Sequence, residues 1–578
     1  MLKFYPSCRL PAPGTCHPHR AYEKISGEMF RFALSIGFAG LLAAQPRGTP
    51  VERQQARSVV YSTKGIVATS QHLASQAGAS ILARGGSAVD AAIAANAVLG
   101  LTEPMMNGIG GDLFVLYREA ATGLIRGLNA SGPTPRALTI AGLQRKGYKS
   151  MPAAGIHSAT VPGCVRGWEA VHKRYGKLPW RDLFAPAIEL AETGFPVHEW
   201  MAMVWDSAEM RQNPESLRAF YPNGQAPGAG QLFRNPALAR AYRILASQGA
   251  NSFYQGEIAH SLLATAQKLG GFHAAEDLAS YQPLWVEPIA TTYRGWTLHE
   301  LPPNGQGLAA LSMLNMLETF TPAAHNSTLD LHRKIEAMKL AYADLFYVGD
   351  PKATKVPTAG LISKPYAAVR AKLIDPSRAN CDVKKGEPPA ASDTTYFSVV
   401  DKDGNVASWI QSVSSVWGSS VTVEGMGFVL HNRGAGFQFD AAHPNALAPG
   451  KRPFHTIIPA ILSGPDVQIG FGIMGGPNQP LAHAQFVSNI IDHGMNIQAA
   501  LEAPRFSKQR PSGCDLFLEN RVGVETLTGL SALGHQLVIT GPYSNANGHG
   551  NAVLRNTRTG INAGASDPRG DGSAIPEP

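Results

Sequence analysis

Ser392-Asp393-Thr394-Thr395-Tyr396-Phe397-Ser398-Val399-Val400-Asp401-Lys402-Asp403-Gly404-Asn405 places two threonines at the head of an alternating apolar run. The run follows a charged, Pro-containing stretch over 377–393, read as a linker. Alternation of this kind predicts a strand over Tyr396–Asp401. If the Asp393–Thr394 bond breaks, Thr394 becomes an N-terminus carrying both a hydroxyl and a free α-amine. The amine can then serve as base for its own hydroxyl, a compact nucleophile that needs no distant His. Thr-Thr before a strand is also ordinary β-propensity, so the stretch gains meaning only from its neighbours.

At 578 residues the chain can bury a sizeable core, and length alone suggests two to four domains. With 44% apolar residues, 60 Gly and 42 Pro it reads as globular and rich in turns. The net charge of +8 is not gathered into a Lys/Arg cluster, which argues against a nucleic-acid partner. Cysteines at 8, 16, 164, 381 and 514 show no CxxC or metal spacing and are too scattered to frame a disulfide-dependent fold. Eighteen histidines include no HxxxH pair, so no metal is expected. Gly108-Ile109-Gly110-Gly111 lacks the spacing of a phosphate loop or dinucleotide fingerprint and is read as pocket wall. No cofactor is expected.

Phe32–Ala44 is apolar, follows Arg31, and ends in small residues before Gln45-Pro46. It is too short to span a bilayer and has the form of a signal-peptide core, with Met29 as the start; the competing reading is a buried helix. Residues 1–45 are therefore expected to be a presequence, 46–60 a polar leader, and the protein secreted or periplasmic. Ala-rich helices are expected over Leu73–Arg84 and Ala88–Leu99, with strands over Pro288–Tyr293, Trp296–Leu301, Val406–Ser412, Gly427–Leu430 and Gln468–Gly472.

A series of short motifs then ties these pieces together. They are Gly65-Ile66-Val67-Ala68-Thr69-Ser70, Leu82-Ala83-Arg84-Gly85-Gly86-Ser87-Ala88-Val89-Asp90, Asn107-Gly108-Ile109-Gly110-Gly111-Asp112 and Pro302-Pro303-Asn304-Gly305-Gln306-Gly307. Beyond the threonines come Lys451-Arg452-Pro453, Gly475-Gly476-Pro477, Ala503-Pro504-Arg505-Phe506 and Gly564-Ala565-Ser566-Asp567-Pro568-Arg569. In order and spacing the chain resembles the gamma-glutamyltransferase family of N-terminal nucleophile hydrolases from about Gly65 to Arg569. The resemblance implies an α+β fold, a four-layer αββα sandwich. It implies one globular body built from a self-cleaving precursor, with 46–393 as large subunit and 394–578 as small subunit. The partners it implies are a small-molecule amide or peptide substrate and the two subunits themselves, with no metal.

By the same match Thr394 is the nucleophile, and Asp393–Thr394 the cleavage site. Gly475-Gly476 would present backbone N–H groups to the oxyanion. Ser412 stands where the family usually has a second Thr that supports the nucleophile, with Thr395 and Ser414 as weaker pocket candidates. Substrate-contacting positions depart from the pattern. The Arg that holds a glutamate α-carboxylate aligns with Asn129, and the acid that meets its α-amine aligns with Gly436. Arg433 has appeared nearby, and a Ser-Ser pair is replaced by His455-Thr456. The segment between Phe437 and Lys451 also looks shorter than the transpeptidases' lid loop. Three functions follow: hydrolysis or transfer of γ-glutamyl, glutathione-like amides; the same chemistry on oxamate-like or glutaryl amides; or an unprocessed binding scaffold.

Overall fold

The alternation in the quoted stretch becomes a division between two layers of core. Tyr396 points with Ile410, Phe114 and Leu116 toward Leu301, Ile457 and Ile461. Its neighbours Phe397 and Val399 point the other way, with Trp409, Leu113 and Val115, into a cluster shared with the Ala-rich helices. A strand buried on both faces therefore lies between a helical layer and a second sheet.

The structure, a computed structural model, describes residues 55–383, 393–508 and 510–578, and for Asp393, Thr394 and Thr395 the backbone alone. The expected presequence, the side chains of the two threonines and the first part of the polar leader lie outside the described residues. One seven-stranded sheet runs Ser573–Pro576, Ile66–Thr69, Asp393–Val400, Val406–Ser414, Asp112–Arg118, Ile125–Ala130, Leu284–Val286 in spatial order. The other runs Val60–Ser62, Asn562–Ser566, Gly550–Asn556, Val467–Ile473, Ala460–Gly464, Trp296–Glu300, Ile289–Tyr293. Every pairing within the two is antiparallel.

Helices His72–Ala83 and Ala88–Thr102 cover the outer face of the first sheet. The second of these is buried along its whole length, which its mostly small and apolar side chains allow. Ser87 starts it with a capping box: Asp90 N–H donates to the Ser87 hydroxyl, and Ser87 N–H to the Asp90 carboxylate. Helices Gly307–Leu317, Thr328–Ala343 and Gln479–Ile491 pack on the second sheet through Leu298, Leu462 and Phe471. The result is the expected αββα sandwich.

The motifs around Arg505 and Arg569 meet in this core. Arg569 donates to both Glu519 oxygens at 2.6 and 2.9 Å and to Asp567 at 3.0 Å, while Arg505 also pairs with Asp567. Four buried charges are thus mutually neutralised, a structural use of those motifs.

Several expectations are corrected. Length suggests two to four domains, yet residues 54–578 form one compact unit. The strands at Tyr396 and Val406 are longer than expected, Asp393–Val400 and Val406–Ser414. Asp401 ends the first because its carboxylate accepts from Asn405 N–H at 3.0 Å and closes the turn. Gly427–Leu430 is no strand; Val429 makes one isolated bridge to Thr422. Gly427 has φ +66°, and a Cβ there would stand 2.5 Å from Leu238 N, so the chain bends where a ladder cannot follow. The end of the supposed leader is built in, Ala56 and Arg57 N–H donating to Glu502 and Val60 opening a strand. Cys381 and Cys514, 133 residues apart, form a disulfide.

Gly472 tests the inter-sheet packing, because a Cβ there would stand 2.4 Å from the Tyr396 ring. That ring is buried, with its hydroxyl 3.0 Å from Ser408 Oγ. Gly472→Ala is expected to destabilise by about 1–3 kcal/mol, read by denaturant unfolding. Gly360→Ala, which meets open space in a helix, should leave stability unchanged or slightly raised. Equal effects would mean that the two sheets are not packed this closely.

Candidate active site

The backbone at Thr394 stands at the head of the Asp393–Val400 strand, where the ladder to Val406–Ser414 shifts register between Asp393↔Ser414 and Thr395↔Gln411. The facing strand also ends irregularly. Ser414, Trp417 and Ser420 all have left-handed backbones, φ 86°, 61° and 58°. Non-glycine residues tolerate such angles only where surrounding contacts hold them. Here the contacts come from Asn432, whose side-chain oxygen accepts from Ser415 N–H at 3.0 Å. Its amide nitrogen donates to Ala153 O at 2.7 Å and Ser415 Oγ at 2.9 Å.

Ser412 Oγ accepts from Ser414 N–H at 2.8 Å and from Arg433 Nη2 at 3.3 Å. Arg433 Nη1 donates to Thr456 Oγ1 at 2.8 Å. The guanidinium is buried, and burial lowers its pKa to about 10 against the opposing pull of Asp112, so it remains a cation at neutral pH. Ser412, Arg433 and Thr456, three residues singled out in the sequence, therefore form one connected group beside the strand that Thr394 opens.

Asp112 is the counter-charge. Its Oδ1 accepts from Gly132 N–H at 3.1 Å and Gly163 N–H at 3.2 Å. Its Oδ2 lies 2.9 Å from His455 Nε2 and 3.6 Å from His431 Nδ1. Burial raises the Asp112 pKa to about 7, with Arg433 and the two amides pulling it back. Burial and Arg433 push both imidazoles down, His431 to about 3, so both are neutral. His455 thus belongs to a buried hydrogen-bonded pair with Asp112 rather than adding a cation.

Gln306 couples this group to the glycine pair, donating to Thr456 O at 2.7 Å and Gly476 O at 2.9 Å. Gly475 and Gly476 take φ 137° and 58° where strand Val467–Ile473 turns into the Gln479–Ile491 helix. This elbow turns the backbone of both glycines sharply just ahead of the helix. Gly436 lies in the turn Arg433–Gly436. Asn129 is hydrogen-bonded at both ends of its side-chain amide. It donates to Asn304 Oδ1 at 2.7 Å, and its own oxygen accepts from Ser131 N–H and Oγ. One end of that amide holds the Asn304 loop and the other the turn at Ser131.

Asp112, Gln306 and Asn432 went unassigned in the sequence although Asp112 and Gln306 sit inside quoted motifs. Their signal was a polar side chain within a Gly-rich run, which reads equally as a turn.

His332, Glu336 and His535 bring three possible metal-ligand atoms within 4.8 Å of one another. Its members are hydrogen-bonded to one another and to Lys339, with His535 Nδ1 left without a partner among the described residues. His332 Nδ1 and His535 Nε2 are 2.9 Å apart, and Lys339 Nζ donates to Glu336 at 2.6 Å. A cation would have to displace that ammonium.

Known proteins agree with this architecture. The Gamma-glutamyltranspeptidase family model matches residues 74–577. The glutathione hydrolase-like YwrD proenzyme of Bacillus subtilis is 35% identical over 89% of this chain and 99% of its own. The oxamate amidohydrolase proenzyme of Klebsiella pneumoniae is 35% identical over 89% and 98%. The crystal structure of cephalosporin acylase from Bacillus halodurans superposes with a TM-score of 0.85 at 40% identity, covering 92% of this chain and 99% of that one.

The raised Asp112 pKa has a sign. An acid whose pKa rises on folding holds its proton more tightly in the folded state. Its contribution is complete below about pH 4 and is lost as pH rises through about 7. Asp112→Asn should remove this slope, so its Tm should fall less than the parent's between pH 5 and pH 8. Parallel Tm profiles would show that Asp112 ionises elsewhere.

Proposed function

The chain belongs to the gamma-glutamyltranspeptidase family and is a hydrolase or acyltransferase of that family. On that premise we propose that it is made as a precursor that cuts itself at Asp393–Thr394 and then works through Thr394. The Thr394 hydroxyl attacks an amide carbonyl, its own amine taking the proton. The oxyanion is met by the Gly475 and Gly476 N–H groups, the amine leaves with a proton, and water or an acceptor amine resolves the ester. Ser412 steadies the nucleophile's surroundings through Ser414 and Arg433. The observation that carries this reading is the convergence of the strand head, the Ser412–Arg433–Thr456 group and the Gly-Gly elbow through Gln306.

For the acyl group we favour a short chain ending in an anion and lacking an α-amine, as in an oxamate-like or glutaryl amide. Arg433 supplies a buried cation. Asn129 is spent on internal hydrogen bonds, and Gly436 offers no side chain to an ammonium group. The name of one relative, an oxamate amidohydrolase, runs the same way. The second reading, a γ-glutamyl amide such as glutathione, is favoured by the glutathione hydrolase-like relative. Export, the expected fate of the presequence, gains support from the Cys381–Cys514 bond, since disulfides persist in oxidising compartments.

Thr394→Ala should remain one uncut chain and hydrolyse nothing. Processed enzyme should turn over glutaryl and oxamate amides at least tenfold better in kcat/KM than the γ-glutamyl amide. The reverse order would sink the acyl-group assignment. Losing a charge-assisted contact of about 1.5–3 kcal/mol, processed Arg433→Ala should drop kcat/KM for the preferred amide roughly 10- to 150-fold.

A further inference from the structure

The Cys381–Cys514 disulfide spans the junction: one sulfur lies on the large-chain side of Thr394 and the other on the small-chain side. We propose that, once the precursor is cut, this bond becomes a covalent tether between the two subunits. This rests on the cleavage reading above, but not on the junction's exact position, because any cut between the two cysteines leaves the chains joined.

The local architecture is built to bring these two cysteines together. Ala379 N–H donates to Leu533 O at 2.6 Å, and Gly513 N–H donates to Cys381 O at 2.8 Å. Asn380 between them is held from helix Thr328–Ala343. Its N–H donates to Glu336 at 3.2 Å, and its carbonyl accepts from Lys339 Nζ at 2.9 Å. Lys339 and Glu336 are themselves a buried ion pair. On the other side, Gln536 N–H donates to Cys514 O at 2.7 Å, fixing it against the strand Gln536–Thr540. The segment leading toward the cut is thus clasped by large-chain and small-chain atoms on both sides of the sulfurs. Cys164, the free cysteine among the described residues, is buried in the main core and offers no competing partner.

The chemistry balances simply. Two thiols give up two electrons and two protons to a donor disulfide by thiol–disulfide exchange, and the donor leaves as a dithiol. Peptide hydrolysis at the junction consumes one water and leaves the sulfur–sulfur bond untouched. Before cleavage the bond closes a loop within one chain. Afterwards it makes the encounter of the two subunits intramolecular, so their association no longer depends on concentration.

The test uses full-length protein, thiols blocked with iodoacetamide, followed by denaturing electrophoresis and intact mass with and without dithiothreitol. One species without reductant and two with it is the expected result. Two chains in both lanes, with Cys381 and Cys514 alkylated, would overturn the tether while upholding cleavage. One chain in both lanes would overturn cleavage, and the inter-subunit role with it. Cys381→Ser and Cys514→Ser should each give two chains in both lanes yet migrate as one complex on a native gel. Tm should be unchanged by a tenfold dilution of the parent and should fall on the same dilution of either variant; a parent that falls equally would also refute the tether.

Discussion

Everything at the site depends on one ladder. The Asp393–Val400 strand is hydrogen-bonded on one side to Ile66–Thr69 and on the other to Val406–Ser414, which in turn carries Asp112–Arg118. Register is fixed by the two cores it divides. A slip of one residue would put Tyr396 into the helical layer and Phe397 between the sheets. The same register sets Ser412 and Ser414 against the head of the strand. Strands from before and after Thr394 are mixed within the sheet, so a broken bond at its head costs no layer of the sandwich.

Beside that head the protein has assembled a group that is close to electrically neutral. Arg433 keeps its charge because Asp112 lies behind it, and Asp112 tolerates burial because two amides and His455 solvate it. Two neutral imidazoles fill the space around the pair. Polarity is thereby concentrated on one guanidinium, already oriented by Thr456 and Ser412. A group held this way loses little freedom when it meets an anion, which is the condition for selective recognition.

Much of this was legible in the residues. Ala-rich periodicity gave both first helices to within a few positions, because packing small residues against a sheet leaves a strong helical signature. Arg433, Ser412 and Thr456 were each identified singly, but their mutual contacts join segments far apart in sequence and no local pattern encodes them. His455 was read only as a replacement in the pattern; its bond to Asp112 and its depth of burial come from segments far apart in sequence. Asn129 was read from a position in a pattern; that its amide ties the Asn304 loop to Ser131 is a contact between distant segments that no local pattern encodes. The cysteine pair was illegible for the same reason as the site, a long sequence separation closed by the fold. Gly427 misled because extended apolar residues on either side of a left-handed glycine look like a strand.

The described chain also nearly closes on itself. Ser573–Pro576 pairs with Ile66–Thr69, and Glu577 N–H donates to Gly65 O at 2.8 Å. The first described residues lie beside the same end of the fold, Arg57 donating to Gly572 O at 3.1 Å and Val60–Ser62 pairing with Asn562–Ser566, so a gap separates the two described ends. A permuted gene could join the two ends at that gap and begin translation just ahead of Thr394. Such a chain would thread the same two sheets in the same registers, yet would reach its amino-terminal threonine by removal of an initiator residue instead of by cutting itself. If Thr394 is the nucleophile, precursor cleavage and permutation are two solutions to one problem of chain order, and the sandwich itself is indifferent to which is used.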